Sequence, residues 1–221
     1  MNPSANLETM HWAQRAFVEG GPIMYGILVV GILSLVLIVE RTVQFSSLIV
    51  NRKEFLDGVF SMVLRGDIRQ AIAYCDSKGA PLPNTVKAGL VQVLNRRPDE
   101  EVQVAMDAAV LRETPKLEGW TSFLDVFGNI AVLIGLLGTI VGMIASFRAV
   151  AAADPATKAE ELSRGIAHAL NCTGFGLFVA ITSIVAYGYF QFRISRAENE
   201  LVEASMTMMN VIVANRDKLK E

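Results

Sequence analysis

Thr139, Thr173 and His168 each lie in a stretch without Asp, Glu, Lys or Arg. A threonine hydroxyl carries one donor and two acceptor lone pairs, so it can meet water, a carboxyl group or a cation. An imidazole titrates closer to neutral pH than other side chains and suits proton exchange. An ionisable group inside an apolar run is a functional hypothesis by default, set against a neutral histidine satisfied near an interface. His168 stands with Asn171 and Cys172, and at about 100° per residue it lies roughly 140° around a helix from Thr173, which gives the two different neighbours.

The threonines border stripes of small residues. Gly128, Ala131, Gly135, Gly138, Gly142 and Ala145 recur at three and four spacing, with Thr139 and Ser146 beside them; Ala169, Thr173, Gly176, Ala180 and Ser183 repeat the pattern. In lipid, small faces let helices approach closely and hydroxyls bond across the contact. Either the stripes pack helices, or they border a cavity or a partner helix. The second reading places Gly135, Thr139, Thr173 and Ala180 on a lumen, with Gly142, Ser146, Ala169 and Gly176 as further lining or partner contacts.

Enzyme chemistry has no foothold. His11 and His168 are the two histidines, and neither HExxH, GxSxG, a Walker lysine nor a GxGxxG after a strand occurs. Gly174-Phe175-Gly176 sits within an apolar run, while Asp99, Glu100 and Glu101 suit a helix start. Cys75 and Cys172 form neither a disulfide framework nor a metal spacing, and no cofactor is expected. A net charge of −2 gives no reason to expect nucleic-acid binding.

The elements that must hold these residues are membrane spans. Residues 20–39, 126–147 and 165–192 are free of charge over 20, 22 and 28 residues, or about 30, 33 and 42 Å as helices against a hydrocarbon core of about 30 Å. With 52% hydrophobic and 19% charged residues, the chain reads as an all-α polytopic membrane protein with three transmembrane helices. The first run follows Arg15 and Glu19 with no basic leader or cleavage site, so it reads as an uncleaved span.

Lys and Arg number one before the first run, eleven between the first and second, three between the second and third, and five after the third. The positive-inside rule puts residues 40–125 and 193–221 in the cytoplasm, and the N-terminus and the 148–164 loop outside. Leu7, Met10, Gln14 and Phe17 share a helical face with Trp12 nearby, suggesting an interfacial helix over 1–19. Residues 40–125 read as a helical domain containing Glu54–Leu64, Ile68–Cys75, Pro83–Leu94 and Asp99–Leu111, separated by Gly and Pro. After the third span, Ile194, Ala197, Leu201, Ala204, Met208 and Val211 form a seam, for either the chain's own cytoplasmic domain or a second subunit.

The strings GGPIMYGILVVGILSLVLIVER at Gly20–Arg41, IGLLGTIVGMIASF at Ile134–Phe147 and GIAHALNCTGFGLFVAI at Gly165–Ile181 resemble the ExbB/TolQ/MotA proton-channel family in order and spacing. Leu111–Leu124 is similar to the helix leading into that family's second span. Three spans and this chain length resemble the ExbB/TolQ branch more than flagellar stators. The resemblance implies a homopentamer in the inner membrane of a Gram-negative bacterium, surrounding the single-span helices of an ExbD/TolR-like dimer that carries the ion-binding Asp. It also implies that Thr139 and Thr173 face the pore and that protons, with sodium as the alternative, pass there. His168 stands where the family usually has Glu, and Val132 and Thr182 replace common prolines.

The expected function is therefore the ring of an ion-driven motor that performs work on the cell envelope, in contact with lipid and its partner. The alternatives are a non-conducting membrane scaffold, whose stripes only pack helices, and a flagellar-type stator subunit.

Overall fold

The structure, a computed structural model of the chain, describes residues 21–48 and 52–216. The interfacial helix expected over 1–19 lies outside the described residues. Among the described residues seven helices follow one another: α1 Gly21–Leu48, α2 Arg52–Leu64, α3 Ile68–Lys78, α4 Pro81–Leu94, α5 Asp99–Glu118, α6 Ser122–Ala152 and α7 Lys158–Ala214. Among the described residues there is no strand. Three helical segments among the described residues are long and apolar enough to cross a membrane, in Gly21–Phe45, Asp99–Ala152 and Lys158–Ala214. The chain is an all-α, multi-pass membrane protein.

The helices run past the charge-free stretches because a helix need not end where hydrocarbon does. α6 continues to Ala152, and α7 begins at Lys158 and extends without a break to Ala214. Leu28, Leu35, Leu133, Ile140, Phe178 and Ile181 are exposed in the single chain. Such apolar faces are costly in water and neutral against lipid tails.

The chain divides into two compact units. One joins the described residues up to Val39 with Ser122–Gly188; the other joins Glu40–Thr121 with the chain from Tyr189 onward. In the second unit, α3 ends on Gly79 at φ 56°, a left-handed cap that costs glycine little. Pro81 then opens α4 at the first helical position, where no N–H is needed. These two residues explain why α3 continues to Lys78 and α4 starts at Pro81, beyond the expected ends. The Thr85 hydroxyl donates to the Pro81 carbonyl at 3.0 Å within this buried turn.

The core of this unit contains Phe55, Val59, Val63, Ala71, Val86, Leu90, Val102 and Met106. Ile194, Leu201, Ala204 and Met208 are buried with them in the single chain, and Ala197 and Val211 are half-buried. Of the two readings of that seam, packing on the chain's own helices accounts for it. Arg52 donates to Glu203 at 2.7 Å, and Arg216 lies 3.2 Å from Asp99, fixing the last part of α7 against α2 and α5. The hydrogen bond and charge of Arg52 hold the Glu203 carboxyl below the usual range, and Glu203 raises Arg52.

Candidate functional site

In the first unit the two stripes of small residues meet. Gly128, Ala131, Gly135, Gly138, Gly142 and Ser146 are the buried face of α6 below Leu124. Ala169, Cys172, Gly176, Ala180 and Ser183 are buried on α7. Lipid supplies no hydrophobic force between helices, so their association relies on van der Waals contact, and the missing side chains permit it. A Cβ on Gly176 would stand 2.7 Å from the Ala131 carbonyl oxygen, and one on Gly135 would stand 3.3 Å from the Cys172 carbonyl oxygen. At Gly142 the equivalent distance to Ala169 Cβ is 3.1 Å.

Among the described residues one hydroxyl crosses this seam. Thr173 Oγ1 donates to the Gly135 carbonyl at 3.0 Å, a bond typically worth about 0.6 kcal/mol between spans. Thr139 is half-buried on α6 and donates to Leu136 of its own helix at 2.6 Å. Ser146 likewise bonds Gly142 at 2.7 Å and presses on Gly165. Each hydroxyl therefore spends its hydrogen inside the chain and keeps acceptor capacity.

His168 points elsewhere. Its ring lies 3.3 Å from where a Cβ on Gly21 would be, at the start of α1, and its Nδ1 is buried without a hydrogen-bond partner. The ring helps line a cleft of about 780 Å³ together with Gly142, Ser146, Cys172, Glu161 and Arg164. Thr139 and Thr173 are not in its walls.

The residues singled out from sequence thus form separate groups. Gly135, Thr173, Gly176 and Ala180 belong to the α6–α7 seam; Gly142, Ser146 and His168 border the cleft, with Ala169 packed against Gly142. Of the four expected on a lumen, Gly135 and Ala180 are buried by their own chain, while Thr139 and Thr173 are half-buried. The bulk-free surface of the glycines goes to packing within one chain. Sequence reasoning passed over Glu161 and Arg164. Glu161, Gly165, His168 and Cys172 recur at 4-3-4 spacing, the helical signal that would have put a carboxylate on the histidine's face.

A family model for the MotA/TolQ/ExbB proton channel family matches residues 78–203, more than half of the chain. The Tol-Pal system protein TolQ of Pseudomonas aeruginosa is 43% identical over 94 residues, 42% of this chain and 40% of that protein. TolQ of Haemophilus influenzae is 36% identical over 43% of this chain and 42% of its own length. The chain thus spans about two fifths of the length of these two relatives. A putative biopolymer transport protein, ExbB-like 3 of Synechocystis, is 27% identical over 79% of this chain and 82% of its own length. With three membrane-length helices, close-packed second and third spans and this match from Lys78 to Glu203, the chain belongs to the MotA/TolQ/ExbB proton channel family, on its ExbB/TolQ branch.

Proposed function

We propose that this chain is the ring subunit of an inner-membrane, proton-driven motor that couples ion flow to mechanical work on the cell envelope. Five copies surround the single-span helices of an ExbD/TolR-like dimer, with the N-terminus periplasmic and both the Glu40–Thr121 segment and the C-terminal part of α7 cytoplasmic. Thr139 and Thr173 serve the ion pathway, and His168 is a third polar group along it.

The observation that carries this reading is the state of the two threonine hydroxyls. Both donate to backbone carbonyls of the chain itself, so what they offer a neighbour is lone pairs. A protonated carboxyl on a partner helix, a hydronium or a sodium ion each needs an acceptor. One charge crossing 100 mV releases about 2.3 kcal/mol, so useful work needs repeated transfers and a partner whose movement follows its protonation.

Reconstitution of the chain in vesicles, with and without a single-span partner encoded beside it, tests this reading. Proton flux that requires the partner and falls with an Asp→Asn change in the partner's span is expected. Flux that ignores the partner, or none with it present, would reject the motor.

The burial of Gly135, Gly142, Gly176 and Ala180 within one chain favours a second reading, a non-conducting scaffold. In that case envelope function persists after an uncoupler collapses the membrane potential.

A further inference from the structure

The cleft beside His168 is built differently from the apolar surfaces around it. Its volume of about 780 Å³ lies within the roughly 300–1,000 Å³ typical of small-molecule sites. Its walls come from the start of α1, the last turns of α6 and the first turns of α7. Along α7 it extends from Glu161 to Cys172, about 16 Å at 1.5 Å per residue, which is close to one leaflet of a bilayer whose core is about 30 Å thick.

Polarity changes along that depth. Glu161 and Arg164 stand at one end, and Arg164 is the last charged residue before the third apolar run. Neither forms an ion pair among the described residues, although they are three positions apart on one helix. Below them come Ser146 and His168, whose Nδ1 is buried without a partner, and deeper still the wall is Ala145, Val141, Gly138 and Ile23. A mouth with one cation and one anion above an apolar shaft matches an amphiphile bearing both charges.

We propose that this cleft binds one zwitterionic glycerophospholipid per chain, of the phosphatidylethanolamine type. Arg164 meets the phosphate, whose oxygens suit a guanidinium fork. Glu161, in the first turn of α7 where the helix dipole favours a carboxylate, meets the ammonium. One acyl chain lies along Ala145 and Val141. The bound lipid would fill the space between the ends of the three spans.

The full-length chain is purified in mild detergent after incorporation into nanodiscs of equal phosphatidylethanolamine and phosphatidylglycerol, and retained lipid is counted by native mass spectrometry. Wild type should keep one phosphatidylethanolamine per chain, enriched several-fold over phosphatidylglycerol. Arg164→Gln, at an exposed position where folding is undisturbed, should lower retention about tenfold through loss of a charge-assisted bond. Glu161→Gln should remove the preference between the two lipids. Ala145→Phe should fill the shaft and displace the lipid, and a phospholipid with a photoreactive acyl chain should label peptides containing Val141 and Ile23. Equal retention of both lipids by wild type, retention unchanged in Arg164→Gln, or crosslinks from residue 145 to a second copy of the chain would each overturn the assignment. Lipid retention is read without ion flux, so its outcome stands apart from that of the motor reading.

Discussion

The hydroxyl of Thr173 reaches the carbonyl oxygen of Gly135 at 3.0 Å, across 38 positions of sequence and from one span to the next. It can do so because Gly135 has no side chain to hold α7 away, and a Cβ there would press on the Thr173 Cα at 3.3 Å. One residue supplies the close approach and the other uses it. Packing and chemistry are therefore coupled at this point: any bulk at Gly135 moves the Thr173 hydroxyl.

Gly176 measures how tightly the seam is closed. A Cβ there would lie 2.7 Å from the Ala131 carbonyl oxygen and 3.1 Å from the Gly135 Cα, both backbone atoms. Gly176→Leu should therefore destabilise the protein by about 1–3 kcal/mol, the usual range for overpacking. Gly174, two residues away, has nothing within 4 Å of such a Cβ, and Gly174→Ala should stay within about 0.5 kcal/mol. Thermal unfolding of the two variants in detergent checks the contrast; equal stability would mean that α6 and α7 do not meet here.

Thr139→Val and Thr173→Val separate packing from ion handling. Thr139 bonds only within its own helix, so its loss should leave stability unchanged, whereas Thr173→Val removes the interspan bond, at a cost of about 0.6 kcal/mol. Under the motor reading both lose an acceptor and both lower partner-dependent proton flux, despite unequal effects on stability. Wild-type flux in both variants would reduce them to packing residues.

How far the sequence carried the structure depended on which forces decide each part. Spans were legible because charges are excluded from hydrocarbon, and the small stripes because a helix repeats every 3.6 residues. Their facing of one another was left open: a row of glycines specifies close approach and says nothing about whose backbone approaches. The α7 seam was ambiguous for the same reason until Ile194 and Met208 were found buried in their own chain. His168 was correctly turned away from Thr173 by helical angle alone, but its contact with Gly21 required α1, whose rotation no periodicity fixes. Glu161 escaped notice because it precedes the apolar run, although it shares the histidine's face.

Cys75 should be chemically silent. It is completely buried, and burial pushes its thiol up to about 12, so the thiolate that reacts with maleimide is scarce near neutral pH. At pH 8 the native protein should label at Cys75 far more slowly than the unfolded protein, by mass spectrometry of the Cys75 peptide. Fast native labelling would show that α3 opens readily.

The Arg52–Glu203 pair gives the second unit an acid-side sensitivity. Arg52 lowers Glu203 from an ordinary value of 4.5, so the pair's contribution is complete above that pH and disappears as pH falls through the lowered value. Glu203→Gln should abolish this part of the pH dependence and cost at pH 7 the same small amount that the wild type loses on acidification, small because the carboxylate is exposed. Unfolding of both proteins between pH 7 and 3 provides the comparison; superimposable pH profiles would show that the contact is not maintained in solution.

His168 provides the sharpest test of the ion pathway because it lies in the cleft and away from the threonines. If it exchanges protons, His168→Gln keeps a polar side chain but removes the exchangeable proton, and partner-dependent flux and its pH profile should both change. His168→Glu should then recover much of the activity, by returning the carboxyl that the resembled family usually carries at this position. If the ring serves only to pack on Gly21, Gln should match wild type at every pH, and Glu should do harm by placing a carboxylate beside a backbone it cannot bond. The two substitutions move in opposite directions under the two roles, so proton flux measured against pH in reconstituted complexes assigns the residue. A Gln profile that overlays wild type would remove His168 from the pathway and leave Thr139 and Thr173 as its polar groups.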